Sequence, residues 1–140
     1  MCLTLLRAGL PDSIPVRSLI PEEVTFPIVL VRRASNWGQW SGHKRFIDSG
    51  AVSIQAFCSG IDADSDAAIL SEAVRVILYD SINTPVSTTT SNGHLTQVRL
   101  LESPRRVTDW ASAVGPVQYA DLPKGVVRYE TVFDLSLRIK

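Results

Sequence analysis

Few residues in this chain have chemistry to offer. Its two cysteines, Cys2 and Cys58, form neither a CxxC pair nor a disulfide framework. Cys58 alternates with Val52, Ile54 and Ala56, which marks a small core hydrophobe rather than a nucleophile in an electropositive setting. The two histidines, His43 and His94, lie in turn-like segments, and a metal site would have to gather them with Cys58 or Asp48 at a spacing that matches no ligand pattern. Asp62, Asp64 and Asp66 alternate, but the glycine and distant glutamate of a calcium loop are missing. Acids there suit the cap and first turn of a helix, where free backbone N–H groups and the dipole favour negative charge. No GxSxG, P-loop, GxGxxG or HExxH motif is present. We therefore expect no enzymatic activity, no metal and no cofactor.

Two clusters offer binding instead. The first gathers Trp37, Trp40, His43, Lys44 and Arg45 in a stretch rich in Ser, Gly, Asn and Gln. The second is Arg105, Arg106 and Trp110, in a segment that also reads as a connection. Tryptophan and arginine bury large areas while keeping a polar handle, so they carry binding energy at protein interfaces. The plainer reading of the first cluster is a surface loop whose tryptophans fold back on the core. A base-stacking platform would need a wider basic field than the balance of 14 basic and 14 acidic residues supplies. That balance also does little to keep neighbouring copies apart, which fits a packed assembly.

The elements that must position these clusters follow from hydrophobic period. A length of 140 residues is enough for a single domain with a real core. Leu3 to Ala8 predicts a short helix stopped by Gly9 and Pro11, and the segment from Ile14 to Ile20 a short or edge strand. Ile28 to Val31 is a β-branched run suited to a strand covered on both faces. Asp48 to Phe57 puts Val52 and Ile54 on one face and Ser53 and Gln55 on the other.

One long helix follows, with an apolar stripe of Ala63, Ala67, Leu70, Val74, Ile77 and Leu78, and with Ser71, Glu72 and Arg75 off it. His94 to Glu102 predicts a strand in which Thr96, Val98 and Leu100 oppose Gln97 and Arg99. The last strand is the clearest, with Val127, Tyr129, Thr131, Phe133, Leu135, Leu137 and Ile139 on one parity and mostly polar residues on the other. The expected fold is α+β: an antiparallel or mixed sheet of about four to five strands, with the long helix and the short N-terminal helix packed on one face. Within a single domain 1–140, residues 34–47 form a long inter-strand loop and 103–125 an irregular connection before the C-terminal strand. No apolar run is long enough for a membrane helix, and Arg7 follows rather than precedes the first apolar residues, which is not the order of a signal peptide. The chain reads as intracellular in origin.

Taken in order, these runs resemble the tail terminator (tail completion) proteins of long-tailed bacteriophages, especially those of actinobacterial phages. The matching residues are Leu5-Leu-Arg-Ala-Gly-Leu-Pro11, Pro27-Ile-Val-Leu-Val-Arg-Arg33 and Asp48-Ser-Gly-Ala-Val-Ser-Ile-Gln-Ala-Phe57. The helix Ala67 to Leu78, Gly115-Pro116, and Arg128-Tyr129-Glu-Thr-Val-Phe-Asp-Leu-Ser-Leu-Arg138 complete them. These are structural runs rather than a catalytic signature. Where members often carry a Gly-Gly turn after the second strand, this chain has Ala34-Ser-Asn-Trp37.

The resemblance implies a virion protein of the tail and neck, assembled in the host cytoplasm. It forms a homo-hexameric ring on the completed tail tube, stops polymerisation of the tube protein and joins the head-side connector or stopper. Genomic DNA passes through the lumen without specific binding, and no membrane is involved. Ring closure needs one patch to meet a different patch on the next copy. The edge strand near Val16 or the terminal strand offers backbone for pairing across subunits. The alternatives are another neck component (a head-completion, stopper or connector protein) and a ferredoxin-like binding module, which would expose aromatic residues on its central strands.

Overall fold

A computed structural model of the chain describes residues 2–34, 47–83, 93–107 and 125–139. Within them the chain forms a short helix α1 (Cys2–Gly9), a two-residue strand β1 (Val16–Arg17), β2 (Ile28–Arg33), β3 (Ile47–Ser59), a long helix α2 (Ala63–Asn83), β4 (Gly93–Val107) and β5 (Val126–Ile139). The strands make one five-stranded sheet in the order β1-β2-β3-β5-β4. Only β1 runs parallel to its neighbour; the pairs β2–β3, β3–β5 and β5–β4 are antiparallel. The sheet is thus mixed and the fold α+β, as the period of the sequence predicts.

The alternation in β5 decides the layers. Val127, Phe133 and Leu135 are buried on the parity that faces the helices, beside Val52, Ile54, Ala56 and Cys58 of β3. Both helices close this face. From α2 it receives Ala63, Ala67, Leu70, Val74 and Leu78, all at helical spacing, and from α1 Leu5 and Leu6. Ser71 departs from the expected helix face. It is buried, and its hydroxyl donates to the Ala67 carbonyl at 2.9 Å, which satisfies its polar group inside the core. The helix starts where capping predicts, with the Asp62 carbonyl accepting the Asp66 N–H at 2.8 Å.

The second face of the sheet has a small core of its own. Ile28, Leu30 and Phe57 are buried there against Ile20, Val24, Phe26 and Val126. This explains why β2 is apolar on both parities. It also shows that 18–27 is a cover rather than a strand: the expected strand 14–20 shrinks to Val16–Arg17. Farther along the same face the residues turn polar, with Ser53, Gln55, Glu130 and Asp134 in neighbouring register.

The largest departure lies in β4. The expected connection 103–125 begins later, because β4 continues through Pro104 to Val107. Register shifts fall between Leu95 and Gln97, Leu100 and Glu102, and Glu102 and Arg105. Each shift reverses the parity that follows it. Leu95 and Val98 therefore both face the core, while Thr96, expected inward, is exposed and donates its hydroxyl to the Ser136 carbonyl at 3.1 Å.

Candidate protein-interaction surface

The first predicted cluster, Trp37, Trp40, His43, Lys44 and Arg45, and Trp110 of the second lie outside the described residues. Arg105 and Arg106 are described, and they are strand residues rather than loop residues. Being adjacent on β4, they point to opposite faces of the sheet. Arg105 pairs in register with Glu130 and Arg106 with Tyr129.

On the open face, Arg105 bridges two acids, with Nη2 3.3 Å from Glu130 Oε1 and Nε 3.6 Å from Glu102 Oε2. The other oxygen of Glu130 accepts from Gln55 Nε2 at 3.0 Å and from Ser53 Oγ at 3.4 Å. One carboxylate thus ties β3, β5 and β4 together across three strands. Gln55 is buried, and its Oε1 has no hydrogen-bond partner among the described residues. One strand-turn away, Arg99 Nη2 lies 3.4 Å from Asp134 Oδ2.

On the helix face, Arg106 Nη1 reaches Asp64 Oδ1 at 3.4 Å, and the Tyr129 hydroxyl donates to the same oxygen at 3.0 Å. That hydrogen bond holds the Tyr129 phenol above its ordinary pKa, because losing the proton would set two negative oxygens together. Asp64 therefore clamps the start of α2 to the β4–β5 ribbon.

The two edges of the sheet differ. At β1, Arg7 donates from Nη2 and Nε to the Val16 carbonyl at 2.8 and 3.1 Å, so a side chain of α1 already occupies this acceptor. β5 lies between β3 and β4 and has no open edge. The expected pairing of the terminal strand across subunits is therefore corrected, since both its flanks are taken. Among the described residues the open long edge is β4. Its register shifts, Pro104 and exposed Arg99, Glu102 and Arg105 are devices that discourage continuous strand addition. They leave a side-chain surface. Leu101, the extra residue of the bulge between Leu100 and Glu102, is 46% exposed in the middle of it. Sequence reasoning passed over Leu101, because its exposure follows from a register shift that the amino-acid pattern does not announce, whereas Arg99 keeps the polar parity expected of it but was not singled out as a contact residue.

A cavity of about 320 Å³ opens on the helix face, between α2 and the segments flanking β1 and β2. Leu10, Ile14, Phe26, Leu70 and Ala73 line it with Cys58, while Ile69 stands at its rim, 65% exposed. Burial pushes the Cys58 thiol up to about 11, with Asp66 adding to the shift, so at neutral pH it is a protonated apolar lining rather than a nucleophile. Among the described residues no three His, Cys, Asp or Glu side chains gather as a metal site. No described helix is long and apolar enough to cross a membrane.

No family model matches the chain. No curated protein matches it either. Among solved structures it is similar to a chain from the virion of a native gene transfer agent (GTA) particle, at 13% identity, over 99% of this chain and 84% of that one, with a TM-score of 0.45.

Proposed function

We propose that this chain is a structural protein of a phage-like virion, acting as the tail terminator. It closes as a hexameric ring on the finished tail tube, blocks addition of further tube subunits and presents a surface to the head-side connector. It does so without catalysis, metal or cofactor. The observation that carries the reading is the β4 edge, a 15-residue strand at the rim of the sheet that bears exposed Leu101 among Arg99, Glu102, Arg105 and Arg106. These side chains are exposed along the rim of the sheet, which suits contact with other proteins. The ordered resemblance to tail terminators, from Leu5 to Arg138, supports the same reading.

The open-face arginines are matched by carboxylates, Arg99 by Asp134 and Arg105 by Glu102 and Glu130. Matched charge lets DNA pass without gripping its phosphates. A ferredoxin-like nucleic-acid platform would place aromatic side chains on the open face of the central strands. Phe57 of β3 is buried under 18–27 and Phe133 of β5 under the helices, while Ser53, Gln55 and Glu130 hold the open positions.

The test sets the purified chain against tail tubes and against portal–connector assemblies in a co-sedimentation assay. The terminator reading predicts saturable binding to tubes at a stoichiometry of one ring per tube end. Binding to connector assemblies alone would transfer the chain to the head-completion or stopper class.

A further inference from the structure

Strands β1 and β2 are adjacent and parallel, so the ten residues 18–27 between them have to return alongside the sheet before β2 begins. The helices fill one face. The connection lies on the other, where Ile20, Val24 and Phe26 pack over Ile28, Leu30 and Phe57. A crossover between parallel strands is usually a helix, which satisfies its own backbone. This one is neither helix nor strand. Among the described residues, no backbone hydrogen bond outside the regular elements and no ion pair involves it. None of its residues is buried: Ser18, Leu19, Pro21, Glu22, Glu23 and Thr25 are exposed, Leu19 at 63%, and the rest are half-buried. We infer that 18–27 is a strap that opens and recloses on a sheet that stays folded, alternately baring and hiding Ile28, Leu30 and Phe57.

The ends of the strap are fixed and its middle is not. At the β1 end, the Val29 N–H donates to the Pro15 carbonyl at 2.9 Å, and Arg7 donates to the Val16 carbonyl at 2.8 and 3.1 Å. At the other end, every residue of β2 from Ile28 to Arg33 pairs in register with β3. β2 therefore keeps its place in the sheet when 18–27 lifts. Packing of Ile20, Val24 and Phe26, all half-buried, holds the strap down against the conformational entropy of ordering the whole segment. A segment with few buried contacts and no backbone hydrogen bonds belongs to the low-stability end of a fold, which opens locally without global unfolding. Opening uncovers an apolar row beside the polar network of the same face, since Leu30 pairs with Gln55 and Gln55 with Glu130. This inference goes beyond the terminator reading and does not depend on it.

Thiol labelling separates strap opening from unfolding. In the full-length Cys2→Ala/Cys58→Ala chain, a single thiol is introduced by Leu30→Cys under the strap or, as a control, by Leu78→Cys in the core under α2. Its reaction with a disulfide reagent (DTNB) is followed at stepped urea concentrations below the unfolding transition. The expected result is that position 30 reacts about tenfold or more faster than position 78, as a locally opening site does. Its rate should also stay flat at low urea, because a local opening exposes little new surface, while the rate at position 78 climbs steeply. Ile28→Cys should behave as position 30 does, and thermal melts establish that each variant folds. The natural chain supplies an independent reading. A glutamate-specific protease should cut it after Glu22 or Glu23 while the fragments stay associated and the circular dichroism is unchanged. Rates at positions 28 and 30 that follow urea as position 78 does would overturn the strap. So would a natural chain that resists the protease until urea unfolds it.

Discussion

Glu130 is the residue on which the open face depends. Its carboxylate accepts from Gln55 and Ser53 and faces Arg105, while the side chain of buried Gln55 has no other hydrogen bond among the described residues. Glu130→Ala should cost about 1–3 kcal/mol, the usual penalty for leaving a buried polar group without its partner. Glu130→Gln, which retains an acceptor, should cost less. Urea denaturation measures both, and equal midpoints for wild type and Glu130→Ala would contradict the network. Arg105→Ala, by contrast, removes exposed pairs and should change stability by no more than about 1 kcal/mol.

The thiols predict a pH dependence. Cys2 and Cys58 are held up to about 12 and about 11 from an ordinary 9.0, chiefly by burial, and Tyr129 is raised by its bond to Asp64. Between the unfolded and folded values the unfolded chain has released protons that the folded chain keeps. Stability is therefore full below about pH 9 and falls as pH rises from there toward 11. Chemical denaturation at stepped pH should show this decline, and Cys2→Ala/Cys58→Ala should flatten it. An unchanged slope in the double variant would show that the thiols do not cause it.

At the level of elements, the contact of α1 with α2 hangs on Gly9. A Cβ there would lie 2.9 Å from Cγ1, Cγ2 and Cδ1 of Ile77, too close for real atoms. Gly9→Ala should destabilise by about 1–3 kcal/mol through overpacking. Adding Ile77→Val, which removes one of the crowding atoms, should recover part of the loss. Additive losses in that double-mutant cycle would show that the two positions do not couple. At the centre of the same layer, Leu78 is fully buried, and Leu78→Ala should cost about 2–5 kcal/mol in the same denaturation assay.

The elements also show what the sequence makes legible. β5 and α2 declare themselves because each keeps one period over most of its length, with one main core face. β4 does not, because its register shifts let Leu95 and Val98 share a face that strict alternation separates, and they place Leu101 out of phase with both. The same shifts hide Arg105 and Arg106 as strand residues behind Pro104. Arg128 falls on the polar parity of β5 yet is buried, since the end of that face joins the small core around Phe57. Cover by 18–27, an irregular segment, carries no periodic signal. The cavity was equally silent in the sequence, because its walls come from α2, from the turn after α1 and from the ends of β2 and β3, which only the tertiary fold brings together.

For the whole molecule, neutrality and asymmetry act together. Fourteen positive and fourteen negative charges leave no net repulsion between copies. The β4 rim and the apolar cavity beside α2 still give the subunit two unlike surfaces, as the proposed ring would require. On the proposed reading, a ring seated on the last tube ring would bury the surface on which growth continues, so one layer of subunits would be enough to stop polymerisation.

The most direct measurement is negative-stain microscopy of tubes growing from their own tube subunit in the presence of this chain. The account predicts rings seated at one tube end, with tube length fixed from the time of addition. Tubes that elongate at the control rate with bare ends would contradict it.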